Sequence, residues 1–219
     1  MSNAKQVMLE RIRNAIRDVP ATEQIKDVPV NRLYRSSTGH TNLLEMTAER
    51  IAEYRARVEI VTADKLTSSI QASLERLGIK RLIVPHGLPE DWRPSGFELI
   101  EESTSLLEHA ELERADGVLT GCTLAIAETG TLVLDHARGQ GRRALTLIPD
   151  VHLCVLLESQ IVDNLPAAMK VLEQSIRAGR PLTFISGPSA TSDIELSRVE
   201  GVHGPRTLEV MIIRNESLD

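Results

Sequence analysis

A polar tetrad interrupts an apolar stretch near the middle of the chain. The stretch from Gly121 to Asp135 reads GCTLAIAETGTLVLD, and its tetrad consists of Glu128, Thr129, Gly130 and Thr131. Apolar flanks can hold such a turn on rigid supports, and a glycine lets the backbone approach a ligand closely. We therefore predict that Glu128 is a catalytic base or nucleophile and that the other three residues contact a ligand. The alternative is an ordinary β-hairpin turn with Thr129 and Gly130 at its tip.

A second polar segment, GPSATSDIE, directly follows a predicted strand. A hydroxyl-rich turn between a strand and a helix amino terminus can bind phosphate or carboxylate through unpaired amides and the helix dipole. The residues of this segment that we predict to line a ligand site are Gly187, Ser189, Thr191, Asp193 and Glu195. Ser192 and Glu195 also have the spacing of a capping box, so ordinary helix capping is the alternative.

Histidines and arginines elsewhere could complete such a site. His203 lies in a GVHGP loop, where a side chain with a pKa near neutrality can carry a proton or orient a ligand. His152 falls in a PDVH link between two predicted strands, where an exposed loop histidine is the simpler interpretation. The basic loop HARGQGRR contains Arg138, and we predict that its Arg142 or Arg143 supplies a counter-charge to an anionic ligand. No HExxH motif or short histidine pair is present, so no metal site is predicted.

The composition excludes several classes of partner. The net charge of -6 gives no general attraction to nucleic acid or anionic lipid, and only 2% of the 219 residues are aromatic, too few for base-stacking platforms. Cys122 and Cys154 form no CxxC pair, so we expect two reduced, buried thiols rather than a disulfide or a cysteine metal site. No apolar run approaches the roughly 18 residues of a membrane span. We expect a cytoplasmic protein.

The chain divides into a helical arm with a linker over residues 1–56 and an α/β domain over residues 57–219. Beyond residue 57, short aliphatic runs alternate with helical patterns, which predicts a mainly parallel sheet between helix layers. Predicted helices cover residues 4–18, 42–56, 64–77, 105–112 and 161–176. Predicted strands cover residues 58–62, 81–85, 97–100, 117–120, 124–127, 132–134, 144–148, 153–157, 182–185 and 208–213. Residues 58–85 are predicted to form a βαβ unit, and Gly78 is predicted to end its helix. In the predicted helix over residues 161–176, Pro166 is tolerable only in the first turn.

Four blocks in order, AETGTLVLD, IPDVHLCVL, SGPSATSDIE and GVHGP, resemble the LUD domain of the lactate utilization protein C family. The resemblance runs from about Val58 to the end, and the amino-terminal helix is similar to the family's opening. It implies the fold of the sugar-phosphate isomerase and CoA-transferase superfamily: a three-layer α/β/α sandwich with a mainly parallel sheet and a site at the strand ends. The run ADGVLTGCTLAIAETGT resembles a turn that borders the ligand in that superfamily, which adds Thr120 to the site residues. Open α/β sheets bind ligands outside the carboxyl ends of their strands, in agreement with this placement.

The resemblance implies a role in oxidising L-lactate to pyruvate together with two iron-sulfur partner proteins. This chain has too few cysteines for such clusters and no G-x-G-x-x-G fingerprint. We predict a domain without a cofactor of its own that has a ligand-binding or regulatory role. The predicted ligand is a small anion: lactate, another organic acid or phosphate. One alternative is a CoA-transferase-like or sugar-phosphate-isomerase-like enzyme with Glu128 as base or nucleophile, and another is a purely structural protein. Homo-oligomer formation is left open.

Overall fold

The computed structural model describes residues 4–20, 22, 24, 37–103, 105–191, 199–200 and 204–215, with the backbone alone at 190, 191, 199 and 200. The chain forms two compact units, Met1–Tyr34 and Arg35–Asp219. The first unit contains helix α1 (Ala4–Ala15), which lies within the predicted helix over residues 4–18. All other elements belong to the second unit. Within the described residues, no helix is both long and apolar enough to cross a membrane.

Twelve strands follow one another along the described residues of the second unit. They are β1 (Arg57–Val61), β2 (Arg81–Pro85), β3 (Glu98–Glu102), β4 (Gly117–Gly121), β5 (Leu124–Ile126), β6 (Thr131–Leu134), β7 (Val151–Leu157), β8 (Ile161–Val162), β9 (Thr183–Ile185), β10 (Ala190–Thr191), β11 (Val199–Glu200) and β12 (Thr207–Ile213). Six of them form an all-parallel sheet in the order β1-β12-β7-β4-β2-β3. This arrangement confirms the predicted α/β fold with a mainly parallel sheet.

One face of the large sheet is covered by helix α3 (Leu66–Leu77). Its Ile70 and Leu74 side chains, at helical spacing, are fully buried in one cluster with Leu119 of β4 and Met211 of β12. The helix ends at Gly78, whose φ of +70° is the left-handed conformation that glycine adopts without strain. The predicted helix stop is therefore confirmed.

The opposite face carries a second, smaller sheet and helix α2 (Leu43–Glu53). The smaller sheet has the order β8-β5-β6-β9, and Ala125 and Leu132 from it pack with Ile51 of α2 against Leu156 and Ile212 of the large sheet. Helix α5 (Leu165–Arg177) covers the other side of the smaller sheet, with its proline in the first turn as predicted. The polar tetrad is thus built on a separate layer from the large sheet.

The strand predicted over residues 144–148 is wrong. Residues 144–148, predicted as a strand, lie mostly in a 3-10 turn over Arg143–Thr146, where Leu145 packs on Ile83 and Val118 beside the short helix α4 (His109–Glu113). The predicted parallel arrangement of β1 and β2 is confirmed, and β12, β7 and β4 lie between them in the large sheet. An aliphatic run satisfies either a strand or a packed turn, so the pattern of residues 144–148 does not decide between the two.

The predicted boundary at residue 56 remains a prediction. Helix α2 lies before that boundary, and its Leu44 and Ile51 are buried in the core of the second unit.

Candidate functional site

The polar tetrad forms the turn of an antiparallel hairpin. β5 and β6 pair up to Ile126 and Thr131, and Ala127–Thr129 form a 3-10 turn that ends at Gly130, with φ +60°. A Cβ atom on Gly130 would lie 2.5 Å from the carbonyl carbon of Arg50, so the turn packs directly on the backbone of α2. Glycine is required here both for the left-handed backbone and for the close approach.

A chain of hydroxyl groups leads away from this turn. The Oγ1 atoms of Thr129 and Thr131 lie 2.7 Å apart, and Thr131 Oγ1 lies 2.8 Å from Ser186 Oγ. Glu128 is half-buried beside them, and its backbone N–H donates to the carbonyl oxygen of Asp163 at 3.0 Å. The tetrad is therefore connected by hydrogen bonds to the segment that follows β9.

Ser186 belongs to the lining of a cavity of about 310 Å³, which is the size of a small-ligand site. The cavity is lined by Arg143, Thr146, His152, Phe184, Ile185, Ser186, Gly187, Pro188, Ser189, Gly204, Pro205 and Leu208. It lies at the amino-terminal ends of β7 and β12 of the large sheet and at the carboxyl end of β9 of the smaller sheet, which the second predicted segment follows. None of these described lining residues carries a carboxylate.

The second and third predicted segments meet at this cavity. The backbone N–H of Ser189 donates to the carbonyl oxygen of Pro205 at 2.8 Å, and β10 pairs with β11 next to this contact. Gly187 packs on Tyr54, since a Cβ atom on this glycine would lie 2.6 Å from Tyr54 Cβ. The predicted site residues Asp193, Glu195 and His203, and the predicted capping box, lie outside the described residues, and Thr191 is described by its backbone only.

Neighbouring arginines of the basic loop have separate environments. Arg142 donates from Nε to Glu102 at 2.9 Å and from a terminal nitrogen to the carbonyl oxygen of Leu107 at 2.7 Å, and the Glu102 side chain is only 6% exposed. Arg143 lines the cavity and has no ion pair in the described part of the chain, and partial burial lowers the pKa of its guanidinium. Arg138 is exposed beside Gly87. Among the described residues that line the cavity, the cation is therefore Arg143, while Arg142 is paired elsewhere.

The loop that carries these arginines is fixed at its start by a buried carboxylate. Asp135 accepts hydrogen bonds from Ser175 Oγ at 2.7 Å and from the backbone N–H of Ala137 at 3.2 Å, and it pairs with Arg180 at 2.8 Å. Burial alone would raise the pKa of Asp135, but these bonds, a further one from Thr123 and the charge of Arg180 lower it below its usual value. The carboxylate is thus ionised at neutral pH and holds the loop in place.

His152 is a buried member of the lining, contrary to its interpretation as an exposed loop residue. It is the second residue of β7, is 1% exposed, and its Nε2 lies 2.8 Å from Thr120 Oγ1. Burial, with a smaller effect of the Arg143 charge, lowers the pKa of His152 to about 4, so the imidazole is neutral at pH 7. The available signal in the sequence was a histidine inside the aliphatic run VHLCVLL.

Metal-binding clusters are absent from the described residues: no group of three His, Cys, Asp or Glu side chains lies close enough together to hold an ion. Both cysteines are free and buried, and Cys122 and Cys154 pack in the core between the sheets. Their environment offers an incoming ligand no access to either thiol.

Comparison with known proteins gives a consistent result. A family model described as the LUD domain matches residues 44–213. Lactate utilization protein C from Deinococcus radiodurans is 45% identical over 212 residues, which cover 97% of this chain and 96% of that protein. Lactate utilization protein C from Shouchella clausii is 36% identical over 173 residues, covering 74% of this chain and 75% of that protein. The crystal structure of a DUF162 family protein from Deinococcus radiodurans is similar, with a TM-score of 0.69, 43% identity, and coverage of 78% of this chain and 96% of that chain.

The range matched by the family model contains every residue that lines the cavity.

Proposed function

Because the chain belongs to the LUD domain family, we propose that it serves lactate utilization as a domain that binds a small organic anion in the cavity beside Arg143. In this proposal the chain acts in the oxidation of L-lactate to pyruvate, and the redox cofactors reside in iron-sulfur partner proteins. The relatives named lactate utilization protein C support the process, and the cavity supports the ligand class.

The observation that carries the proposal is the guanidinium of Arg143, which has no ion pair with any described residue and makes one long hydrogen bond, of 3.5 Å, to Thr146 Oγ1. Two other described arginines are paired instead: Arg142 with Glu102, and Arg206, which follows the lining residue Pro205 in sequence, with Asp150. A partly buried cation loses hydration, and a ligand carboxylate can replace the lost water with two parallel hydrogen bonds. The described lining offers no carboxylate of its own that would compete for that role.

Calorimetric titration of the purified protein with L-lactate, pyruvate and inorganic phosphate tests the proposal. We expect binding of at least one of these anions, and about 10-fold or greater weakening in Arg143→Gln, because hydrogen bonds between charged groups contribute about 1.5–3 kcal/mol. Arg138→Gln is the matched control, since it removes a charge from the same loop outside the cavity lining and should leave affinity unchanged. Equal affinity in the two variants would show that the cavity is not the anion site.

The proposed division of labour has its own test. Purified protein should show no visible absorbance and should oxidise lactate only after addition of its iron-sulfur partners. The two cysteines of the chain are too few and too deeply buried to ligate a cluster. Lactate oxidation by the isolated chain would contradict this assignment.

A second candidate function is a transferase or isomerase with Glu128 as base or nucleophile. The observation that favours it is the hydroxyl chain from Thr129 through Thr131 to Ser186, which joins the tetrad to the cavity lining. Under this candidate, Glu128→Gln abolishes turnover of a small anionic substrate while the unfolding temperature stays nearly unchanged. A large loss of stability with no effect on ligand binding would instead assign Glu128 to the structure of the turn.

A further inference from the structure

We propose that His152 presents a neutral Nδ1–H donor to the cavity, that Thr120 holds the ring in this tautomer, and that the site therefore selects a small carboxylate monoanion. The proposal rests on the anion cavity described above and adds to it a specific donor, the residue that orients that donor, and the charge class of the ligand. Thr120 acts through His152 and is a positioning residue.

The hydrogen bond between Thr120 and His152 determines the tautomer. The Thr120 hydroxyl is fully buried, and among the described residues its one polar partner is His152 Nε2, at 2.8 Å. A buried hydroxyl hydrogen without an acceptor is unfavourable, so the hydroxyl donates and Nε2 accepts. In a neutral imidazole the remaining proton then resides on Nδ1.

Nδ1 is left to interact with a ligand. The described residues provide no hydrogen-bond partner for this atom, although His152 is almost completely buried and lines the cavity. Among the described residues, the fully buried side-chain nitrogen and oxygen atoms without a hydrogen-bond partner are Arg81 Nε and Arg93 Nε, so His152 Nδ1 is accessible at the cavity. An oxygen atom of a bound anion can accept its hydrogen bond there in place of water.

The charge of the lining determines the ligand class. Arg143 contributes one positive charge, His152 is neutral at pH 7, and the described lining residues include no acid. A single carboxylate matches one guanidinium, whereas the second charge of a phosphate dianion would have no partner in a partly desolvated site. The apolar side chains of Phe184, Ile185 and Leu208 suit the short carbon skeleton of such an acid.

The tautomer can be measured without any ligand. Long-range 1H–15N correlation spectra of protein labelled with 15N-histidine show which ring nitrogen carries the proton, and the His152→Gln spectrum identifies the His152 signals among six histidines. We expect the Nδ1–H form in the unmodified protein and in Thr120→Ser, and a loss of that form in Thr120→Val. An Nε2–H form in the unmodified protein would overturn the proposal even if Thr120→Val failed to fold.

Ligand binding provides the second measurement. Titration with L-lactate, pyruvate and inorganic phosphate at neutral pH should give tighter binding of a carboxylate than of phosphate. Thr120→Val should weaken carboxylate binding by about 3- to 10-fold, as expected for a neutral hydrogen bond, while Thr120→Ser keeps it. Preferential binding of phosphate, or unchanged affinity in Thr120→Val, would overturn the proposal.

The tautomer of His152 and the binding of an anion are separate observations. If the Nδ1–H tautomer is found but none of the three anions binds, the proposed function fails and the ligand class falls with it, while the assignment of Thr120 stands. If an anion binds and depends on Arg143 but His152 has the other tautomer, the proposed function stands and this inference fails.

Discussion

The charge state of His152 follows from its position inside the sheet. An imidazolium there would lose its hydration and would lie near the positive charge of Arg143, and both effects favour the neutral ring. The pKa of about 4 in the folded protein lies below the usual value of 6.5, so the unfolded chain takes up this proton first as the pH falls. The stabilising effect of the neutral ring is complete above about pH 6.5 and is lost progressively towards pH 4.

This linkage predicts an acid-dependent loss of stability. Between pH 7 and 4, His152 should lower the free energy of unfolding by about 3 kcal/mol. A difference of one in pKa between the folded and unfolded states corresponds to about 1.4 kcal/mol. Urea unfolding at a series of pH values measures it, and the curve for His152→Gln should be flatter by this amount. His86→Gln serves as the control, because the His86 side chain is 61% exposed. Parallel curves for His152→Gln and the unmodified protein would contradict the assigned pKa.

At the scale of elements, the hairpin and helix α2 form one packed unit. Gly130 lies against the backbone of Arg50 and Ile51, and Gly187 lies against Tyr54 at the end of the same helix. Backbone atoms cannot move aside as a flexible side chain can. Helix α2 therefore fixes both the polar tetrad and the segment that enters the cavity lining.

This packing predicts unequal effects of two glycine substitutions. Gly78→Ala introduces a side chain at φ +70° into open space, so only backbone strain of about 1 kcal/mol is expected. Gly130→Ala should cause similar backbone strain and, in addition, a clash with Arg50. The free energy of unfolding should therefore fall by about 3 kcal/mol. Chemical denaturation of both variants measures the difference. Similar losses of stability would show that the turn can move away from α2.

The elements themselves were largely predictable, because their signals are local. β2 has the predicted bounds, and Gly78 and Pro166 have their predicted places at helix ends. The hairpin, stated as the alternative for the tetrad, is the observed geometry, and it does not decide whether Glu128 is functional. Local residue patterns determine these features.

At the scale of the whole molecule, sequence patterns do not predict the order of the strands in the large sheet. β12 is last in the chain but lies between β1 and β7, and no local feature of residues 207–213 specifies those neighbours. The cavity depends on this order, since its lining comes from segments before β7, before β12 and after β9. His152 lies just outside the predicted strand over residues 153–157 but inside β7, and the sequence pattern does not distinguish Arg142 from Arg143.

The division into two units predicts that the second folds independently. All residues of the four hydrophobic clusters lie at position 44 or beyond. A variant that lacks residues 1–34 should therefore unfold cooperatively, with a midpoint within about 3 °C of the full chain, corresponding to about 1 kcal/mol at this size. Thermal unfolding followed by circular dichroism measures this. Loss of the cooperative transition would show that the core requires the first unit.

Arg142 and Arg143 are adjacent in sequence, yet one pairs with a buried carboxylate and the other has its guanidinium at the cavity. Natural selection would act on the two positions for different reasons. A lineage that no longer used the ligand could lose the arginine at 143 while keeping the arginine at 142. Replacement of the arginine at 142 would leave the buried carboxylate of Glu102 without its cation. The covariation of position 142 with position 102, and of position 143 with ligand use, would be the evolutionary record of this separation.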